Sequence, residues 1–103
     1  MDADEIRTLL GDNIFERAKK YRKRIQQSTC TVNADGVRHI SAMVQGSGGS
    51  YYYTQAWLRE NGSFVSASCS CPYNQNGEGT YCKHIGALLL DDAEKNAPAP
   101  AAK

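Results

Sequence analysis

The sequence predicts an α+β fold: an N-terminal helix, a short antiparallel β-meander and a C-terminal helix. Three observations predict it. Apolar residues recur at helical period through the first quarter of the chain. Two turn dipeptides, Asp35-Gly36 and Asn61-Gly62, separate stretches of β-forming residues. Near the end, Ile85, Leu88 and Leu89 fall at i, i+3 and i+4.

Residues 2–10 predict a short first helix with little apolar content. Asn13, with Glu16 three residues on, is the expected N-cap of a second helix running to about Gln26. Its inward stripe is Ile14, Phe15, Ala18, Tyr21, Arg22 and Ile25, and its other face is basic. Residues 28–33 read as a strand. Residues 37–45 alternate, with Arg38, Ile40, Ala42 and Val44 on one face and Val37, His39, Ser41 and Met43 on the other. Residues 46–50, Gly-Ser-Gly-Gly-Ser, break the chain; no Gly-Lys-Ser/Thr follows, so a hairpin connection is expected and not a phosphate loop. Strands over 51–60 and 63–68 flank Asn61-Gly62.

The chain has 103 residues, and its last eight, 96–103, form a Pro/Ala-rich stretch without a large apolar side chain, which reads as tail or linker. The remainder is a marginal size for a self-sufficient core, and a bound metal is a common remedy. Formal net charge is +1, so the total says little about partners. There is no apolar leader at residues 1–5 and no run long enough to span a bilayer, so a cytoplasmic protein without membrane contact is expected. The four cysteines, Cys30, Cys69, Cys71 and Cys82, could in arithmetic form two disulfides. In a reducing compartment, clustered Cys and His instead mean metal or redox chemistry.

The cluster reads Cys69-Ser70-Cys71, ten intervening residues, Cys82-Lys83-His84. Structural Zn²⁺ takes four sulfur or nitrogen donors in a tetrahedron, and these four are the candidate ligands. The spacing imposes geometry. Residues i and i+2 of a flat strand stand roughly 6.5 Å apart, whereas two sulfurs on one zinc approach to about 4 Å. The chain must bend at Cys71, and Pro72 suits a strand end there. Residues two apart on a helix point away from each other, so Cys82 belongs at or just before the first turn and His84 within it. The helix N-terminus then favours thiolate charge. The connecting residues 72–81 are rich in turn formers. Three other readings explain the pattern less well. Buried free thiols would leave four ligand residues gathered in sixteen for no purpose. A redox Cys-x-Cys would leave Cys82 and His84 without a role. Catalytic zinc keeps an open position, whereas here four donors are supplied and no Glu stands beside a ligand. A non-enzymatic protein is expected.

This C-x-C…C-x-H pattern, with Cys69-Ser70-Cys71-Pro72-Tyr73 and the stretch from Cys82 through Ile85, Gly86, Ala87 and Leu88 to Leu90, resembles the SWIM zinc finger family. Upstream, Phe15-Glu16-Arg17-Ala18-Lys19-Lys20-Tyr21 is similar to the F-x-R-G-x-x-Y segment of bacterial SWIM proteins tied to Snf2-type ATPases, with Ala18 where the pattern has Gly. The resemblance implies a ββα zinc knuckle, a helicase-associated role in binding DNA or protein, and no catalytic residues. The expected division is an N-terminal segment 1–12, a SWIM-type zinc-binding domain 13–95 and a tail 96–103. It also suggests an N-terminal piece of a longer protein carrying an ATPase domain in cis. The acids Asp91, Asp92 and Glu94 near a helix C-terminus, where the dipole disfavours them, point to the same expectation.

Residues 17–24 carry six basic side chains in eight and no acid. Arg17, Lys19, Lys20, Lys23 and Arg24 are the candidate nucleic-acid contacts, the bland alternative being a solvated helix face. Tyr51, Tyr53 and Trp57 share a strand face; they could stack on bases, but a core role is expected in so small a domain. Cys30 reads as a buried free thiol, and His39 as a satisfied histidine and not a ligand. The function expected is a structural-zinc module that binds nucleic acid, DNA ahead of RNA, as an accessory to an Snf2-type ATPase. The alternative is a zinc-stabilised protein–protein adaptor.

Overall fold

Helix α1 (Ala3–Leu10) begins at a reciprocal cap: the Asp2 carboxylate accepts from the Glu5 N–H, and the Glu5 carboxylate accepts from the Asp2 N–H, both at 2.9 Å. Gly11 ends it. At φ +87° its N–H reaches the Arg7 carbonyl at 2.8 Å, while its own carbonyl accepts from Phe15. That left-handed conformation, easy only for glycine, lets one residue close α1 and open α2 (Asp12–Tyr21). Asn13 therefore lies inside the first turn and is not the cap. Helix α2 also stops earlier than its periodicity suggests. A 3₁₀ turn (Arg22–Arg24) follows, and Ile25 starts strand β1 (Ile25–Val32). Sheet pairing wins there because Ile25 opposite Val44 packs against the core.

In this computed structural model, which describes residues 2–46, 48–71 and 81–95, β1, β2 (Arg38–Gln45), β3 (Tyr51–Leu58) and β4 (Phe64–Cys69) pair antiparallel in the order β1-β2-β3-β4. The fold is α+β, with the expected meander. Both turn dipeptides sit where the sequence puts them. Asp35 Oδ1 accepts from the Val37 N–H, and the Arg59 N–H bonds to the Ser63 carbonyl around Asn61-Gly62. β1 carries an irregularity between Gln26 and Thr29, where Gln27 has φ +54°.

One face of the sheet is covered. Ile40 and Ala42 of β2 and Ala56 and Leu58 of β3 are buried against helix α3 (Lys83–Lys95), whose Ile85, Leu88 and Leu89 are buried in turn, and Val44 of β2 is buried as well. Ile6 of α1 and Phe15 and Ala18 of α2 complete this core. Helices α2 and α3 cross closely: a Cβ on Gly86 would stand 2.7 Å from Ala18 Cβ and 2.6 Å from Leu10 Cδ1. The register Ile40↔Ala56 and Ala42↔Thr54 sends the even-numbered residues of β3 inward. Tyr51 and Tyr53, expected in the core, are therefore 45% and 46% exposed. Cys30 is exposed too, because β1 is an edge strand whose last seven residues lie open.

The acids of α3 are matched inside the molecule. Asp92 takes a two-pronged hydrogen bond from Arg38, both contacts at 3.0 Å, which locks β2 to α3 and raises the guanidinium pKa further above its usual range. Arg22 meets Glu94 at 2.6 Å and holds that carboxyl below its usual pKa, and Lys95 meets Asp91 at 3.0 Å. These side chains thus need no outside partner to account for them. Among the described residues no helix is long and apolar enough to cross a membrane.

Candidate metal centre

Cys69 is the last residue of β4. Ser70 still pairs with Tyr53, its N–H donating to the Tyr53 carbonyl and its hydroxyl accepting from the Tyr53 N–H. Beyond it the chain bends at Cys71, as two sulfurs on one metal require. Residues 72–80, Pro72 among them, lie outside the described residues. The chain returns at Tyr81, whose ring meets Phe64 of β4 edge-on at 5.3 Å. Cys82 stands one residue before α3 and its carbonyl accepts from the Gly86 N–H; His84 lies in the first turn. The Ile85 N–H bonds to the Cys82 sulfur, so the thiol occupies a capping position.

The donor atoms of Cys69, Cys71, Cys82 and His84 lie within 4.8 Å of one another, and all four residues are buried. His84 Nδ1 faces the sulfurs, 3.7 Å from Cys69 and 3.9 Å from Cys82. Two donors at zinc-bond lengths of about 2.0–2.3 Å on a tetrahedron stand roughly 3.5–3.8 Å apart, so the separations fit. Three buried thiols this close cannot all ionise unaided. The hydrogen bond from Cys82 draws the Cys69 thiol well down, against burial and with help from His84, Thr54 and the Cys71 N–H. The same bond, together with burial, pushes Cys82 up. A divalent cation removes that conflict by neutralising the sulfurs directly. The cluster is placed to hold a metal ion, and three sulfurs with one imidazole suit zinc.

Residues around the donors hold them in place, and the Cys/His spacing gave no sign of most of them. Thr54 is fully buried with its hydroxyl 3.3 Å from the Cys69 sulfur. Tyr52 lies against the His84 ring at 5.1 Å and Tyr21 meets it edge-on at 5.3 Å. Gly46 leaves room for Tyr52; a Cβ there would stand 2.7 Å from that ring. The one hint in the sequence was Tyr21, which the helical stripe had aimed inward.

The candidate contact residues occupy α2 and the 3₁₀ turn beside this centre. Arg17, Lys20 and Lys23 are exposed. Lys19 pairs with Glu16 at 3.1 Å and Arg22 with Glu94, so the basic run is partly matched by acids that its own eight residues do not contain. Arg24 donates to the Gly46 carbonyl at 3.2 Å and lies 5.2 Å from the centre of the Tyr21 ring. Lys83, between two ligands, sits over the same ring at 4.8 Å. Its position in the Cys-x-His pair gives no sign of this contact.

No curated protein and no solved structure matches the chain. The SWIM zinc finger family model matches residues 52–92. That stretch runs from β3 through all four donor residues to Asp92 of α3. What this chain shares with the SWIM zinc finger, a binding module, is therefore the metal centre together with the two strands and the helix that carry it.

Proposed function

We propose that this chain is a non-catalytic, zinc-stabilised module that binds nucleic acid, DNA ahead of RNA, in the cytoplasm. Zinc would be held by Cys69, Cys71, Cys82 and His84 and would supply structure only. Arg17, Lys20, Lys23 and Arg24 meet phosphates, with Lys19 contributing less because of Glu16. One observation carries this reading. Arg24 and Lys83 converge on Tyr21, which itself packs on the ligand His84, so the basic segment is anchored to the metal centre. The resemblance of 15–21 to segments linked with Snf2-type ATPases supports a place as accessory domain in such a machine. The reading frame past Lys103 tests that part: a phosphate-loop motif downstream supports it, and an immediate stop codon ends it.

Fluorescence anisotropy with duplex and single-stranded DNA and RNA, at two salt concentrations, tests the binding. Affinity should fall with salt, and each phosphate contact removed should lower the slope of log K against log salt by about 0.9 for duplex DNA. A variant with Lys19, Lys20, Lys23 and Arg24 all changed to Ala should lose most of that dependence. If the parent binds no nucleic acid, the protein-adaptor reading replaces this one.

A further inference from the structure

The helices cover one face of the sheet, and the other bears rings. Tyr51, Tyr53 and Trp57 alternate along the outer side of β3. The residues in register with them on the outer side of β1, β2 and β4 are Ser, Thr, Gln, Met and His39; no Lys, Arg, Asp or Glu stands among them. Two of the three rings are held in place, Tyr51 and Trp57. His39 stacks on Trp57 at 4.8 Å and hydrogen-bonds Gln55, which bonds in turn to Ser68. Gln26, opposite Met43 on the far strand, donates to the Tyr51 hydroxyl at 3.1 Å. Two residues before Gln26 stands Arg24, and Lys23 is exposed beside it. The uncharged face therefore borders the basic turn at one corner.

That juxtaposition selects a ligand. Flat π surfaces among neutral donors and acceptors match nucleobases, and the adjoining cations match phosphates. Neighbouring outer residues of β3 are roughly 6.5–7 Å apart, about twice the 3.4 Å rise of stacked bases. A strand that places successive bases on Tyr51 and Tyr53 must be drawn out of its stack, which a single strand does readily and a duplex does not. A duplex also keeps its base faces inside.

We propose that this outer sheet face binds single-stranded nucleic acid, stacking splayed bases on Tyr51, Tyr53 and the Trp57–His39 pair while the backbone crosses Lys23 and Arg24. This rests on the nucleic-acid reading above and narrows it. The Tyr51 ring, held by its hydroxyl, and the Trp57 ring, stacked on His39, lose little freedom on binding, which favours affinity.

Trp57 is the sole tryptophan, so its fluorescence reports directly on the face. The zinc-loaded chain should be titrated with a 12-nucleotide oligo(dT) and with a mixed-sequence 12-base-pair duplex. The single strand should quench Trp57 and bind at least about tenfold tighter than the duplex. Changing Tyr51 and Tyr53 together to Ala should weaken it by about 30-fold or more, at 1–3 kcal/mol per stacked base. Duplex affinity and zinc content should not move, and the double Phe variant should retain binding because it keeps both rings. If the Ala variant binds the single strand as tightly as the parent, or the duplex binds as tightly as the single strand, the proposal falls while the basic-segment reading stands. If the parent binds neither, both fall together.

Discussion

Thr54 is a polar side chain with no exposure, and its position against the Cys69 sulfur explains why a hydroxyl is tolerated there. A sulfur that carries negative charge gains from a donor, and it competes for the one hydroxyl proton with the Tyr52 carbonyl, also at 3.3 Å. Thr54→Val keeps the shape and removes the donor. Groups behind metal ligands typically contribute 10- to 100-fold in affinity, so zinc binding should weaken by about tenfold. Competition against a chromophoric chelator measures this. Unchanged affinity would reduce Thr54 to a core filler. The Arg38–Asp92 fork and the Cys82 cap are residue-scale devices of another kind, since both fix how α3 meets the sheet.

At the scale of elements, the tightest contact is where α3 crosses α2. Gly86 is inside a helix, where glycine costs about 1 kcal/mol relative to alanine. Gly86→Ala would recover that amount but set its methyl 2.7 Å from Ala18 Cβ, which belongs to a helix and cannot swing away. Overpacking costs about 1–3 kcal/mol, so the net change should be destabilising, by about 1 kcal/mol. Denaturant midpoints check the sign. Ala18→Gly in the same background should relieve the clash. A stabilised Gly86→Ala protein would show that the crossing has slack. The contact also makes sense of Ala18 in a segment whose related pattern has glycine: the room at the crossing comes from Gly86 on the opposite helix.

For the whole molecule, one zinc would join the end of β4 to the start of α3, and α3 supplies much of the core. Structural zinc contributes on the order of 10 kcal/mol in small finger peptides, comparable to the entire 5–15 kcal/mol margin of a typical domain. Verified removal of zinc by strong chelation, or Cys82→Ser or His84→Ala, should therefore melt at least residues 69–90. The loss of helical circular dichroism and of amide dispersion would show it. Zinc affinity should fall as pH falls, because thiols with an ordinary pKa of about 8.5 take protons back in competition with the metal. A protein that keeps full dispersion and an unchanged thermal midpoint without zinc would refute the coupling.

The sequence alone determined what is local. Cys-x-Cys and Cys-x-His spacing dictated a bend at Cys71 and a helix starting after Cys82, because donor separations on one metal are narrow. Turn dipeptides and alternation located the strands, because both depend on neighbours in the chain. Only the tertiary structure decided matters that depend on partners far away in sequence. Ile25 left the predicted helix because Val44 offered it a place in the core. The β2–β3 register turned Tyr51 and Tyr53 outward, since period-two alternation names two faces without saying which one the helices will cover. Glu16 and Glu94 matched part of a basic run that looked uncompensated, since an ion pair is a fact of space and not of sequence order.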